Sequence, residues 1–330
     1  MPSGFVGKTC RYGLGGGDVR RYASRRLLQM VPTLAGVVLL VFALFHWVGP
    51  DPVDVLAGQY ASPERIYLIR HQLGLDRSYA VQLGIFLRQI VTFDFGQSWT
   101  TGEDVAHIFA TRLPASLTIA VPILSLEFSI GTVLALAVAS VRGSLTDRAL
   151  MVACNVAMSI SFLIYVIVIQ WLFAYRLGWF PVQGWSDRLR TNLTVYAPLP
   201  VLLAVLINLA PTLRTFRTFV LDEYGHDYVR TARAKGASEP RVLLVHVLRN
   251  ALVPILAYVS LALPGLFVGA FLLEVFFSIP GIGRELVGAV YRGDFPVIKA
   301  SVVYLAMLTM MINLLTDLAF RLVDPRVRLT

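Results

Sequence analysis

Charged residues are scarce in this chain. Only 15% of its 330 residues are Asp, Glu, Lys or Arg, whereas a typical soluble domain has roughly a quarter. Hydrophobic residues make up 56%, and the mean hydropathy is +0.68. This balance excludes an ordinary soluble globular protein and indicates a membrane protein. The net charge of +9 then reflects basic cytoplasmic loops rather than nucleic-acid binding, so we expect membrane lipids and no nucleic acid as partners.

Cysteine and the common catalytic motifs are also nearly absent. The two cysteines, Cys10 and Cys154, lie far apart, and Cys154 is inside an apolar run, which excludes a disulfide framework or a cysteine metal cluster. The five histidines show no metal-ligand spacing. The sequence contains no G-x-x-x-x-G-K-[ST] loop for ATP and no G-x-S-x-G or H-E-x-x-H motif. We therefore expect no catalytic site, no metal site and no cofactor in this chain.

What the sequence does contain is long apolar runs. A helix needs about 20 mostly apolar residues to cross a bilayer. The first run follows a basic segment, but it is longer than the core of a signal peptide and no cleavage site closes it, so we interpret it as an anchor. The sequence therefore predicts an all-α membrane protein with six transmembrane helices, at 27–48, 116–141, 149–175, 196–213, 251–273 and 297–323.

The positions of Lys and Arg predict the orientation. Most of them fall on one side of the six spans, which the positive-inside rule assigns to the cytoplasm. Both termini are then cytoplasmic, and the long segment 49–115 is a periplasmic loop, in which Ser62 is a candidate helix cap. The predicted divisions are the tail 1–26, the first span 27–48, the loop 49–115, a transmembrane domain 116–323 that contains the cytoplasmic loop 214–250, and the tail 324–330.

The polar stretch DYVRTARAKGA, residues 227–237, predicts a short cytoplasmic helix. Asp227 is a candidate N-cap and Gly236 a candidate helix end. Val229 and Ala232, with Gly236, form a face of small residues, which would let another protein surface approach closely. Two alternatives are a solvated connector and a helix lying on anionic lipid.

This stretch and the residues after it, EYGHDYVRTARAKGASEPRVLLVHVLRNALVP (223–254), resemble the cytoplasmic loop of type I ABC importer permeases. The closest resemblance is to the first permease subunit of the dipeptide, oligopeptide and nickel transport systems. The Glu-Ala-Ala positions of that family's EAA motif fall on Arg230, Thr231 and Ala232, and its glycine on Gly236. The motif's glutamate is absent, although the peptide branch commonly reads T-A-R-A-K-G. Other fragments match in order, among them FDFGQSW (93–99), VRGSLTDR (141–148) and EVFFSIPGIGRELVGAVYRGDFPVI (274–298).

The resemblance implies a type I ABC permease fold and half of a peptide-conducting pore in the bacterial inner membrane, working by alternating access. It implies three kinds of protein partner: a homologous second permease, two cytoplasmic ATPase subunits that bind ATP and Mg²⁺, and a periplasmic or lipid-anchored substrate-binding protein. The cargo stays open between dipeptides, longer peptides, nickel chelates, glutathione and some sugars. The implied ATPase-docking residues are Asp227, Tyr228, Arg230, Thr231, Ala232, Arg233, Lys235 and Gly236.

Four further residues are candidates for the pore or its gate. Glu127 lies in the middle of the second span, where a carboxylate must face the bundle interior, water or a partner; it either lines the pore or is a structural glutamate. Pro264 breaks the fifth span, and the resulting kink either acts as a hinge or only shapes how the helix packs. Glu274 opens the following outer loop, where Arg284 or Arg292 is its candidate ion-pair partner, and Arg284 is the fourth pore or gate candidate.

Two other functions are compatible with a polytopic chain. A self-contained secondary transporter would show inverted repeats and charges at the midplane, and only Glu127 approaches that pattern. A membrane-embedded enzyme would need a catalytic cluster at membrane depth, and the sequence shows no motif for one.

Overall fold

The computed structural model describes residues 16–47, 51–57 and 62–323, and within them the side chains of all but residues 16–27, 52, 54, 55, 264–269 and 317–323. The predicted tail 324–330 and the first fifteen residues of the predicted tail 1–26 lie outside this description, and so do the side chains of Pro264 and Asp317.

No strand occurs in the described ranges, which are almost entirely helical. The helices are α1 Gly16–Trp47, α2 Pro52–Ala57, α3 Pro63–Gln72, α4 Tyr79–Thr92, α5 Val105–Ser140, α6 Leu145–Ser159, α7 Phe162–Ile169, α8 Leu189–Thr191, α9 Pro198–Tyr224, α10 Asp227–Ala234, α11 Glu239–Arg241, α12 Leu248–Phe276, α13 Ile282–Arg292 and α14 Phe295–Val323. Three π-helical segments continue α7, α8 and α11, over Gln170–Arg176, Asn192–Tyr196 and Val242–Val247.

Five helices within the described ranges are long and apolar enough to cross a membrane, and a bent pair of helices raises the number to six. The all-α, multi-span prediction is confirmed. The five are Leu28–Trp47, Val105–Ser140, Pro198–Tyr224, Glu239–Leu263 and Phe295–Thr316. The fourth of these runs from α11 through the π-helical segment that follows it into α12.

The third predicted span, 149–175, is not one straight helix. It consists of α6 and the α7 segment, which meet at an angle of 95°. Ile160 and Ser161 both have extended backbone angles, so the ladder of hydrogen bonds stops and restarts there. Hydropathy cannot reveal such a break because the apolar composition is the same for a straight and a bent segment.

Helices also continue beyond the apolar runs that predicted them. α5 begins at Val105, inside the predicted loop 49–115, where the Asp104 carboxylate accepts hydrogen bonds from the backbone N–H groups of Ala106 and His107. Ser62 caps α3 as predicted, because its hydroxyl accepts a hydrogen bond from the N–H of Arg65 at 3.4 Å. An apolar run therefore marks only the hydrophobic part of a longer helix.

The core divides into three clusters along the bundle. The first joins α5, α7, α9 and α12 around buried residues such as Ile119 and Leu273. The second joins α9 and α12 to α10 and the π-helical segment after α11, around Phe216 and Val229. The third packs α1 and α4 against α14, around Phe86. The second cluster places α10 directly on the transmembrane helices.

The segment between α4 and α5 is fastened to the start of α14 by Asp294. This fully buried carboxylate accepts hydrogen bonds from the Ser98 hydroxyl, from the Trp99 N–H at 3.1 Å and from the Thr100 hydroxyl at 2.6 Å. A buried carboxylate needs such donors, since without them its desolvation would be costly. Two sequence fragments that match the permease family, around residues 96 and 294, thus meet in space.

Candidate functional site

α10 has the boundaries of a capped two-turn helix. Its N-cap is His226, with extended backbone angles and no side-chain cap bond, so the prediction of Asp227 as the N-cap is wrong. Asp227 is instead the first helical residue, where a negative charge is favoured by the helix dipole. At the other end Gly236 has a φ of +81°. The N–H groups of Gly236 and Ala237 donate to the carbonyls of Arg233 and Ala232, which is the Schellman arrangement.

The face of small residues on α10 points inward. Val229 is fully buried and Ala232 is 8% exposed, both within the second core cluster. Val229 and Ala232 of the predicted face are therefore covered by the chain itself and are not accessible for docking, whereas Gly236 is exposed. Small side chains are needed here because they let α10 lie close against α9 and the π-helical segment 242–247. The spacing of these residues identified the face correctly but could not show what covers it.

The opposite face of α10 is open. Asp227, Arg230, Thr231 and Ala234 follow the i, i+3, i+4, i+7 spacing of one helix side, and all four are exposed, as is Lys235 after them. The side chains of Asp227 and Arg230 are 96% and 80% exposed and lie 3.7 Å apart. Ala234 was not predicted, although the same spacing would have included it. We call Asp227, Arg230, Thr231, Ala234 and Lys235 the outer face of α10.

Arg233 is held within the chain rather than presented to a partner. Its guanidinium donates to both oxygens of Glu239, at 2.7 and 3.1 Å, and lies 4.5 Å from the centre of the Tyr224 ring. The Tyr224 hydroxyl donates to the same carboxylate at 2.7 Å. Arg233 thus ties the end of α10 to the end of α9 and the start of α11.

Tyr228 is also turned toward the chain. Its hydroxyl donates to Glu223 at 2.7 Å. Burial, and then this hydrogen bond, raise the pKa of Tyr228 to about 12, so the hydroxyl remains a donor at neutral pH. Glu223 and Glu239 were not predicted as parts of this site, because their role depends on how α9 and α11 meet α10.

Glu127 and Thr212 form a hydrogen-bonded pair between α5 and α9. The Thr212 hydroxyl donates to Oε1 of Glu127 at 2.6 Å, and Glu127 is half-buried on the wall of a cavity of about 330 Å³. Among the predicted pore residues whose side chains the structure describes, Glu127 lines this cavity, and Glu274 and Arg284 do not.

Comparisons with known proteins place the chain in a family. The profile of the family described as "Binding-protein-dependent transport system inner membrane component" matches residues 131–329. The profile of the corresponding N-terminal component matches residues 19–120. The chain belongs to this family. It is a permease subunit of an ABC importer, and an integral membrane protein with several spans.

Several curated relatives match over almost their whole length. A putative peptide transport system permease protein of Brucella abortus (strain 2308) is 34% identical over 306 residues, covering 92% of this chain and 98% of the relative. The di/tripeptide transport system permease protein DppB of Pseudomonas aeruginosa (strain UCBPP-PA14) is 34% identical, covering 93% and 98%. The glutathione transport system permease protein GsiC of Salmonella choleraesuis (strain SC-B67) is 32% identical, covering 93% and 98%.

At the other end of the permease, Glu274 caps a helix rather than pairing with an arginine. Its carboxylate is 1% exposed and accepts hydrogen bonds from the Ser116 hydroxyl at 2.6 Å and from the backbone N–H of Arg284 at 2.9 Å. The predicted ion pair of Glu274 with Arg284 or Arg292 is wrong within the described residues, and Arg292 instead contacts Glu285 at 2.7 Å. The side chain of Arg284 is exposed. Glu274 therefore holds the first turn of α13 against α5.

Two glycines make room for this carboxylate. A Cβ on Gly281 would overlap the carboxyl carbon of Glu274, and one on Gly283 would overlap Cβ of Phe271. The sequence PGIG thus lets the chain turn closely around a buried acid. Pro264 lies within α12, whose helix is continuous from Leu248 to Phe276, so the backbone is not interrupted at the predicted break.

Proposed function

We propose that this permease imports peptides across the bacterial cytoplasmic membrane by alternating access, with the outer face of α10 docked on a separate ATPase subunit. Peptide cargo is supported by its relatives, several of which are named as peptide, di/tripeptide or dipeptide transport permeases. Alternating access needs two packed states of the bundle that an external energy source can interconvert.

The observation that carries the proposal is the division of α10 into two faces. Val229 and Ala232 belong to the same core cluster as Phe216 of α9 and Ile255 of α12. A force on the outer face therefore reaches two long helices through close-packed side chains, which transmit displacement because protein interiors are dense. The Arg233–Glu239 contact prevents α10 from rotating instead of transmitting that force.

The proposed assembly contains a second, homologous permease, two ATPases and a binding protein. The ATPases bind ATP and Mg²⁺, and this chain binds neither. The termini and the loop 214–250 face the cytoplasm, as the distribution of Lys and Arg favours. The helices of segment 49–115, together with α13, then lie on the periplasmic side, where the binding protein would dock.

The test is a pull-down from the native host with a tagged permease. Wild-type permease is compared with an Arg230→Glu/Lys235→Glu variant, which reverses two charges on the outer face. The matched control is Arg241→Glu, because Arg241 is exposed in the same loop but is not part of α10. We expect wild type and control to recover two ATPases and a second permease, and the double variant to lose the ATPases.

Recovery of the ATPases with the double variant, together with unchanged peptide uptake, would refute docking through this face. Purification of wild type as a homodimer that transports without any ATPase would refute the whole assembly.

A further inference from the structure

The cavity beside Glu127 lies within the membrane-spanning bundle. It measures about 330 Å³ and is lined by residues of α5, α7, α9 and α12. Its walls are mainly apolar, with polar groups from Glu127, Asn208, Thr212 and Tyr258. A site of this size is at the lower end for small-molecule pockets, which fits one end of a small ligand.

Glu127 is the single charged residue among the described residues that line this cavity. The adjoining residues 264–269 of α12, whose side chains are not described, include no Lys or Arg in the sequence. A carboxylate at this depth requires a hydrogen-bond or cationic partner. Thr212 satisfies Oε1, whereas Oε2 has no hydrogen-bond partner in the described part of the chain. The described lining of the cavity therefore offers one carboxyl group and no cationic side chain.

The position of the carboxylate is set by close packing of two helices. Gly131 lies one turn after Glu127 on α5, and a Cβ there would come within 3.0 Å of the Thr212 methyl group. Glycine lets α9 approach closely enough for the Thr212 hydroxyl to reach Glu127. Phe216, one turn after Thr212, packs against the same glycine and is fully buried. The carboxylate is thus held in a fixed place.

The aromatic walls favour the same kind of ligand. The lining residues with aromatic rings are Phe128, Phe162, Phe216 and Tyr258. Aromatic faces attract cations, most strongly where water is excluded, and a carboxylate makes charge-assisted hydrogen bonds to an ammonium group. The side-chain carbonyl of Asn208 is a further acceptor. These groups together suit a primary ammonium ion on an apolar body.

We propose that this cavity binds the amino-terminal ammonium group of the peptide cargo during its passage, with Glu127 as the anionic contact. This inference rests on the proposed function in peptide import and adds a cargo-binding site within the permease itself. It predicts that the permease prefers cargo with a free amino terminus, independently of the binding protein.

The test measures binding by the assembled transporter without its binding protein. The complex in lipid nanodiscs is incubated with radiolabelled Ala-Phe amide, which carries a free ammonium group and no carboxylate, and with its N-acetyl analogue. We expect the free amine to bind to wild type and the acetylated peptide not to bind. Glu127→Gln should weaken amine binding by about tenfold or more, the amount expected for one charge-assisted contact.

Three controls separate a binding role from a structural one. Glu127→Asp should restore part of the amine affinity, since it keeps the charge. Thr212→Val should have a smaller effect, since it removes the hydrogen bond that positions Glu127 but leaves the Glu127 carboxyl group in place. N-acetyl-lysine amide carries its ammonium group on a side chain, so it tests whether the site binds any primary amine or the amino terminus alone. We expect it to bind more weakly than Ala-Phe amide.

The outcomes also separate this inference from the proposed function. If wild type imports Ala-Phe when the binding protein is present and Glu127→Gln binds the amide equally well, the cavity site is refuted while peptide import stands. Equal binding of acetylated and free peptides by wild type would refute it as well. Failure of the complete wild-type assembly to import any dipeptide refutes the proposed function itself.

Discussion

Arg217 and Asp147 form a two-point ion pair that joins α9 to the start of α6. Nε of Arg217 lies 2.8 Å from one carboxylate oxygen and a terminal guanidinium nitrogen lies 2.7 Å from the other. The backbone N–H of Gly143 donates to the same carboxylate at 2.9 Å. Asp147 is 4% exposed, so this contact is buried and fixes the turn 141–144 against the helix that leads to α10.

Replacing Asp147 with Asn should destabilise the permease. The change leaves the partly buried guanidinium of Arg217 without its anion, and breaking a buried pair on one side costs about 3 kcal/mol. The measurement is the melting temperature of the purified complex, with Arg148→Gln as the control, because Arg148 is exposed on the next position. Equal melting temperatures for the two variants would contradict a stabilising role for the pair.

Replacing Arg233 with Ala should uncouple ATP hydrolysis from transport without releasing the ATPases. Arg233 points to Glu239 and Tyr224 within the chain, so its loss frees the end of α10 while the outer face stays intact. The stability cost should be small, because both side chains of the pair are exposed to solvent. The readout is peptide transported per ATP hydrolysed, together with the amount of ATPase that co-purifies.

For Arg233 a conservative control is available. Arg233→Lys keeps the charge but cannot contact both carboxylate oxygens in the same way, so it should fall between wild type and Ala. Loss of the ATPases from Arg233→Ala would show instead that this arginine is part of the docking surface.

Replacing Gly281 with Ala should disturb the outer end of the permease. The added methyl group overlaps the buried carboxylate of Glu274, and overpacking of this kind costs about 1–3 kcal/mol. Gly288→Ala is the matched control, since the nearest atom to its added methyl group belongs to the flexible end of Arg292. A lower melting temperature for Gly281→Ala alone is the expected result, and equal values would contradict the tight cradle around Glu274.

Local chemistry made α10 predictable from the sequence. Gly236 ends the helix because its φ is positive, and the run of residues before it has helical spacing with good formers. Which side of the helix is buried depends on the segment 242–247, which is close in space but follows another turn. The sequence alone therefore could not show that Ala232 is buried within the chain, nor that Arg233 pairs with Glu239.

Long-range polar contacts were the least predictable part. Glu274 was assigned an arginine partner because charges of opposite sign lie nearby in sequence, whereas its side-chain donor, Ser116, is on α5. Asp294 likewise accepts hydrogen bonds from residues 98–100, which are far from it in sequence and near it only in the fold. The bend at Ile160 and Ser161 was not predicted, because a membrane span is recognised from its apolar composition, which a bend does not change. Glu127, by contrast, was identified because a lone carboxylate in an apolar run is costly wherever the neighbouring helices lie.

The two-sided character of α10 has an evolutionary consequence. Val229 and Ala232 are buried in the core, so selection on them acts through the stability of the fold. The outer positions, such as Arg230 and Ala234, are exposed and not packed into the core, so substitutions there should cost the fold little stability. Under the docking proposed above, a permease with this division could adapt to a different ATPase by surface substitutions on α10 while its transmembrane bundle stays unchanged.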